Sequence, residues 1–139
     1  MRFRGKVNQD GKFWLAEVPV LDTMTQGHTY EEALAMVKNL LETLAHRPGF
    51  TVEVHPGQHG QFEVSSVDTR TLISLLLRRQ RERSGLSLAE AAERLGAKSR
   101  NAYARYERGT SVPTVAKLTE LLEAVAPGQD FVLQQSGVD

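Results

Sequence analysis

Lys98, Ser99, Arg100 and Asn101 follow one another, and Arg105 stands one helical turn beyond Asn101. Arg and Asn form paired hydrogen bonds with guanine and adenine edges, while Lys and Ser reach phosphate oxygens, so the chemistry these types can do is recognition of a duplex. Small Ala102 and Ala104 lie between them, which lets a helix approach a major groove closely. Upstream, Arg78 opens a basic run with Arg79, Arg81 and Arg83 and is assigned to phosphate contact. The formal net charge of zero conceals this arrangement. Residues 1–67 hold six basic and eight acidic side chains, a balance of −2, whereas residues 70–109 hold ten basic and four acidic ones, a balance of +6. The basic excess coincides with the donor group, as contact with a polyanion requires.

Other residues invite a catalytic reading and do not sustain it. Asp10, Glu17, Asp22 and Glu53 are scattered among turns and strands, whereas phosphodiester cleavage by hard cations needs clustered carboxylates. His55 and His59 flank Pro56-Gly57 in a turn and lack a third ligand nearby. With no cysteine, disulfides and thiolate metal sites are excluded, which fits a cytoplasmic protein. The expectation is a non-enzyme without metal or cofactor. Trp14, the single tryptophan, reads as core or interface rather than as a platform for bases.

The elements that position the donors are legible in the spacing. Ser87 and Glu90 form an S-x-x-E capping box, and Leu88, Ala91, Ala92 and Leu95 recur at helical spacing up to the stop at Gly96. Ser99 caps a second helix anchored by Tyr103 and Tyr106 and ending at Glu107-Arg108-Gly109, which leaves Arg100, Asn101 and Arg105 on its outer face. Asp68 caps a preceding helix carrying Leu72, Ile73, Leu75, Leu76 and Leu77 to about Ser84. Pro113 is expected at the first position of a fourth helix, with Val115, Leu118, Leu121, Leu122 and Val125 inside and Pro127-Gly128 at its end. Phe131-Val132-Leu133 then reads as a strand or arm that pairs in a dimer.

The first half has a different period. Met1 to Val7 and Lys12 to Val18 read as a hairpin around Asn8-Gln9-Asp10-Gly11, with Pro19 ending the second strand and a short third strand at Met24 to Gln26. Thr29 and Glu32 form a second capping box, and Ala33, Val37, Leu40, Leu41 and Leu44 make one apolar stripe to about Ala45, closed by Pro48-Gly49. Phe50 to His55 and Gln61 to Ser65 alternate again, with Val52, Val54, Phe62 and Val64 inward. One helix covers one sheet face, and Trp14, Ala16 and Val18 point opposite to Phe13 and Leu15, so the opposite face or edge is expected to be covered by a second copy or another protein, the alternative being that the C-terminal half folds back over it.

The chain thus reads as α+β. Residues 1–66 form a small antiparallel sheet with one packed helix, and residues 67–139 an all-α domain with a tail. At 139 residues with 40% hydrophobic content it can fold unaided, and no apolar run near 18 residues or N-terminal leader is present, so a soluble chain with neither signal nor membrane anchor is expected.

About residues 68–126 closely resemble the Cro and phage-repressor class of helix-turn-helix domains. In that class Ala92 takes the small position where two helices cross, Gly96 the turn, and Glu107-Arg108-Gly109 the end of the recognition helix. Leu88 stands where the class usually has a phosphate-touching Gln, and the turn through Ala97-Lys98-Ser99 is one residue longer. Phe13 to Leu44, FWLAEVPVLDTMTQGHTYEEALAMVKNLLETL, is similar to the HicB family of antitoxins through Thr25, Gln26, Gly27, Thr29, Glu31, Glu32, Ala33 and Leu34. Many members of that family carry a second, helix-turn-helix half, and Ser99 to Gly109 resembles theirs, longer turn included. The loop at Leu21 to Met24 departs from the family, which often has a Pro-Gly or similar turn there.

The resemblance implies a partly RNase H-like first half that masks a small HicA-type ribonuclease toxin, and a dimeric (or tetrameric) second half that binds the operator of its own operon. The site residues carried forward are Lys98, Ser99, Arg100, Asn101, Arg105 and Arg78 for DNA. No toxin-contacting residue is assigned, because Thr29 and Glu32 already have a role as a helix cap. The alternatives are a stand-alone transcription regulator whose first half senses a small ligand, and a metal-dependent nuclease.

Overall fold

The computed structural model describes residues 1–137. Strands β1 (Phe3–Asp10), β2 (Phe13–Val18), β3 (Thr23–Gly27), β4 (Glu53–Pro56) and β5 (Gln61–Ser65) form one sheet in the order β3-β2-β1-β5-β4, every pair antiparallel. Helix α1 (Tyr30–Leu44) crosses between β3 and β4 and covers one face. Helices α2 (Thr69–Arg83), α3 (Leu88–Leu95), α4 (Arg100–Glu107) and α5 (Val115–Val125) follow, so the α+β expectation is met. The chain divides into a unit of Met1–Leu72 joined by residues 135–137, and a unit of Ile73–Gln134.

In the first unit, Asp10 pairs with Phe13, which leaves a two-residue hairpin loop, Gly11-Lys12, with Gly11 in the left-handed region at φ +59°. β1 therefore runs three residues beyond the expected end. Asn8, Gln9 and Asp10 belong to the ladder despite their turn-forming types, because a Gly able to adopt positive φ makes a tighter loop sufficient. Val7, Ala16, Val18, Phe62 and Val64 line the buried face against Ala33, Leu34, Val37 and Leu41 of α1. At the start of α1, Thr29 accepts from the Glu32 N–H at 3.0 Å, while Glu32 Oε1 accepts from the His28 N–H at 3.3 Å. Gly27 lies so near this turn that a Cβ there would stand 2.5 Å from the Ala33 nitrogen. The T-Q-G-x-T-x-E-E run thus has a packing role.

The expected strand Phe50 to His55 is shorter than its alternation predicts, with the ladder confined to Glu53–Pro56. Phe50 and Val52 are buried, but the Val52 N–H donates to Glu42 Oε2 at 2.9 Å and its carbonyl accepts from Lys38 Nζ at 3.0 Å. Side chains of α1 thus take the bonds a neighbouring strand would supply, while apolar alternation reports burial alone. Lys38 also pairs with Glu42, and together with the Val52 N–H this holds the Glu42 carboxyl below its ordinary range.

The second sheet face is mixed in character. It carries Arg4, Lys6, Asn8, Asp10, Glu17, Gln26, Glu53, His55 and Glu63, with Phe13, Leu15 and Met24 as a small apolar group. Lys6 and Glu17 pair across β1 and β2 at 3.4 Å. Burial opposes ionisation of Glu63, but hydrogen bonds from Ser136 at 2.5 Å and Arg2 at 3.2 Å outweigh it and keep the carboxyl below its ordinary range. Trp14 lies on the α1 side, half-buried and edge-on to Tyr30 with ring centroids 5.8 Å apart.

Two expectations in the second unit also change. Thr114, not Pro113, begins α5: its hydroxyl accepts from the Lys117 N–H at 3.1 Å, and Pro113 precedes the cap. Val115, at the first helical position, is 84% exposed, so the inner stripe starts at Leu118 and is completed by Leu121, Leu122 and Val125. Phe131-Val132-Leu133 has no regular secondary structure in the single chain, and Leu133 is 99% exposed, as an arm awaiting a second copy would be.

Candidate nucleic-acid interface

The interface is built on α3, a four-residue turn and α4. Ser87 and Glu90 make a reciprocal capping box, each accepting from the other's backbone N–H at 3.0 Å, and the C-cap Gly96 takes the left-handed conformation at φ +76°. Ser99 caps α4 by accepting from the Ala102 N–H at 3.3 Å. Ala91, Ala92 and Ala104 are buried at the packed α3 and α4 pair, where short side chains permit close approach. Tyr103 is fully buried and Tyr106 nearly so, which fixes the rotation of α4 about its axis and turns Arg100, Asn101 and Arg105 outward.

Ties from distant elements hold α4 in place. Arg81 of α2 donates to both carboxylate oxygens of Glu107, at 2.6 and 3.0 Å, and to the Leu86 carbonyl at 2.8 Å. This pair is mostly buried, with side chains 15% and 7% exposed, and the Glu107 bonds push the Arg81 guanidinium further up against the opposing effect of burial. Ser74 donates to the Tyr106 carbonyl at 2.8 Å, while Ser84 and Arg94 cap the end of α5 through the Val125 and Ala124 carbonyls at 2.6 and 2.8 Å. The Tyr103 hydroxyl reaches no hydrogen-bond partner among the described residues; burial, with the Glu107 carboxylate nearby, drives its ionisation far above the ordinary range.

The six assigned DNA residues fall into three situations. Lys98, Ser99, Arg100 and Asn101 are exposed at the start of α4, the end that recognition helices present to base edges. Arg105 is exposed but stacked, with its guanidinium carbon 5.1 Å from the Tyr106 ring centroid and a nitrogen 3.4 Å from the Tyr106 hydroxyl. Arg78 lies on α2, three-quarters buried, and pairs with Glu82 at 3.3 Å. The spacing did not reveal the roles of Arg81, Glu107 and Arg108. Arg108 donates to Asn101 Oδ1 from the far end of the same helix face. The E-R-G run marks the helix end but cannot announce a partner 26 residues upstream.

The carboxylates Asp10, Glu17 and Glu53 lie on the exposed sheet face, and Asp22 caps the turn of 3-10 helix at Pro19–Leu21 with φ +49°. No three His, Asp or Glu side chains are grouped to hold a metal among the described residues. His55 Nε2 lies 2.7 Å from Ser65 Oγ, and His59 is exposed in the β4–β5 turn. No helix among the described residues is long and apolar enough to cross a membrane.

Residues 72–130 match a family model described as a helix-turn-helix domain. The match runs from Leu72, early in α2, to just beyond α5 and contains the whole α3–turn–α4 arrangement. The match supports a DNA-binding helix-turn-helix within residues 72–130. No curated protein matches this chain.

Proposed function

We propose that this chain is an antitoxin that also represses its own operon, binding rather than catalysing in both roles. The observation that carries the reading is α4. Its inner face is locked by Tyr103, Tyr106 and the Arg81–Glu107 pair, while Lys98, Ser99, Arg100 and Asn101 stand exposed at its start. The second half reads the operator, and two copies on a palindrome place their recognition helices about one DNA turn, ~34 Å, apart. The first half neutralises a HicA-type ribonuclease by steric masking. Support comes from the T-Q-G-x-T-x-E-E-A-L run at Thr25–Leu34 and from the basic excess being confined to the second half.

The decisive experiment co-expresses the chain with the product of the neighbouring reading frame, which this reading expects to be a small basic protein. Recovery of a stable complex, relief of that protein's ribonuclease activity, and retention of the operator fragment by the complex are expected. A neighbour without ribonuclease activity, or one that fails to bind, refutes the antitoxin role while leaving operator binding standing. A stand-alone, ligand-sensing regulator is the second reading, favoured by an open groove of about 500 Å³ lined by Leu34, Lys38, Val52, Val54 and His55 in the first unit. Thermal stabilisation of the isolated chain by a small metabolite, with no protein partner, would decide for it.

A further inference from the structure

Three side chains share the outward stripe of α4: Asn101, Arg105 and Arg108, at i, i+4 and i+7, within an arc of roughly 60° around the helix. Arg105 is occupied by Tyr106. Arg108, the C-cap residue, lies back along the stripe and donates a guanidinium N–H to Asn101 Oδ1. We propose that Arg108 is a positioning residue for Asn101, fixing which edge of that amide faces DNA. The inference rests on the DNA-binding reading of α4.

An exposed Asn has two soft torsions, and its carbonyl and amino ends are interchangeable in shape. Arg108 has only donors, so it selects the oxygen and turns the amino group away from itself. The Asn101 amino hydrogens have no acceptor among the described residues and are left to donate. Asn101 therefore reads a base acceptor in the major groove, such as a purine N7, and the second lone pair of Oδ1 stays open to a base amino group. Since the orientation exists before DNA arrives, one ordering cost is removed from binding. The contribution of Arg108 then appears as discrimination at the base pair Asn101 touches. A guanidinium acting only on phosphate would instead add affinity to every sequence alike.

The test is selection from a random duplex library by the full-length chain, followed by binding titrations against the selected and a scrambled duplex at several salt concentrations. Asn101→Ala is expected to erase preference at one base pair of each half-site. Arg108→Ala is expected to weaken that same preference by about five- to tenfold and no other, with the double variant no worse than Asn101→Ala. Arg108→Lys, which keeps the charge and can still donate once, restores part of it and guards against a folding artefact. The inference is overturned if Arg108→Ala lowers affinity for both duplexes equally and reduces the salt slope by about one while the preference survives. Failure of the unmutated chain to select any sequence is a different result, and it overturns the DNA-binding reading itself.

Discussion

Removing the Glu107 carboxylate tests how the recognition helix is held. In Glu107→Ala, Arg81 loses both of its carboxylate bonds, at 2.6 and 3.0 Å, and keeps the Leu86 carbonyl at 2.8 Å. Breaking a buried pair by deleting one partner costs about 3–5 kcal/mol, because the remaining charge is stranded. Arg81 is still 15% exposed and retains one acceptor, so the loss belongs at the low end of that range, about 3 kcal/mol. For a domain of this size each kcal/mol moves the midpoint by roughly 4–8 °C, so a fall of at least roughly 12 °C is expected for the second unit. Urea and thermal unfolding followed by circular dichroism measure the loss in Glu107→Ala, Arg81→Ala and the double variant. The double variant should be less damaged than the sum of the singles by at least ~1.5 kcal/mol, since it strands no charge. Costs that add within ~0.5 kcal/mol, or a Glu107→Ala penalty below ~1 kcal/mol, would show that the pair is solvated and does not anchor α4.

Further expectations concern separate parts of the molecule. The Lys38 and Val52 bonds depress the Glu42 carboxyl, so their stabilisation is complete above the ordinary value of 4.5 and is lost as pH falls through the lower folded value. Glu42→Gln should flatten the acid limb of the urea midpoint as pH falls from 4.5 towards the lower folded value, and parallel limbs for the two proteins would contradict the assignment. A methyl group at Gly27 meets backbone at 2.5 Å, so Gly27→Ala should cost about 1–3 kcal/mol in chemical unfolding; a neutral result would mean that α1 shifts freely against β3. Because the Tyr103 hydroxyl is buried without a partner, Tyr103→Phe should leave stability unchanged or raise it by about 1 kcal/mol, and a clear loss in thermal denaturation would reveal a hydrogen bond there.

The helix-turn-helix was readable from the chain because its signals act within four residues. Ser87 with Glu90, Gly96 and Ser99 with the Ala102 N–H are bonds or conformations that local backbone geometry makes available at once. The same holds for Thr29 and Glu32 at the head of α1. Errors came where one local preference competed with another or with burial. Thr114 outcompeted Pro113 as the start of α5, and the Gly11-Lys12 loop drew Asn8 to Asp10 into a ladder. Phe50 and Val52 alternated like a strand because they are buried, yet α1 side chains supply Val52's hydrogen bonds.

By itself, then, the sequence determined the order of elements, most of the caps that bound them and the outward placement of Arg100, Asn101 and Arg105. Tertiary structure decided what fixes those donors. Arg81 meets Glu107 across 26 residues, Arg105 lies over Tyr106, and Arg108 reaches Asn101. It also decided that the second sheet face is largely polar. The physical reason is one of range. A cap or turn is selected by a few adjacent torsions, whereas a charge finds its partner only after packing has set helix rotation and brought distant segments within hydrogen-bond reach.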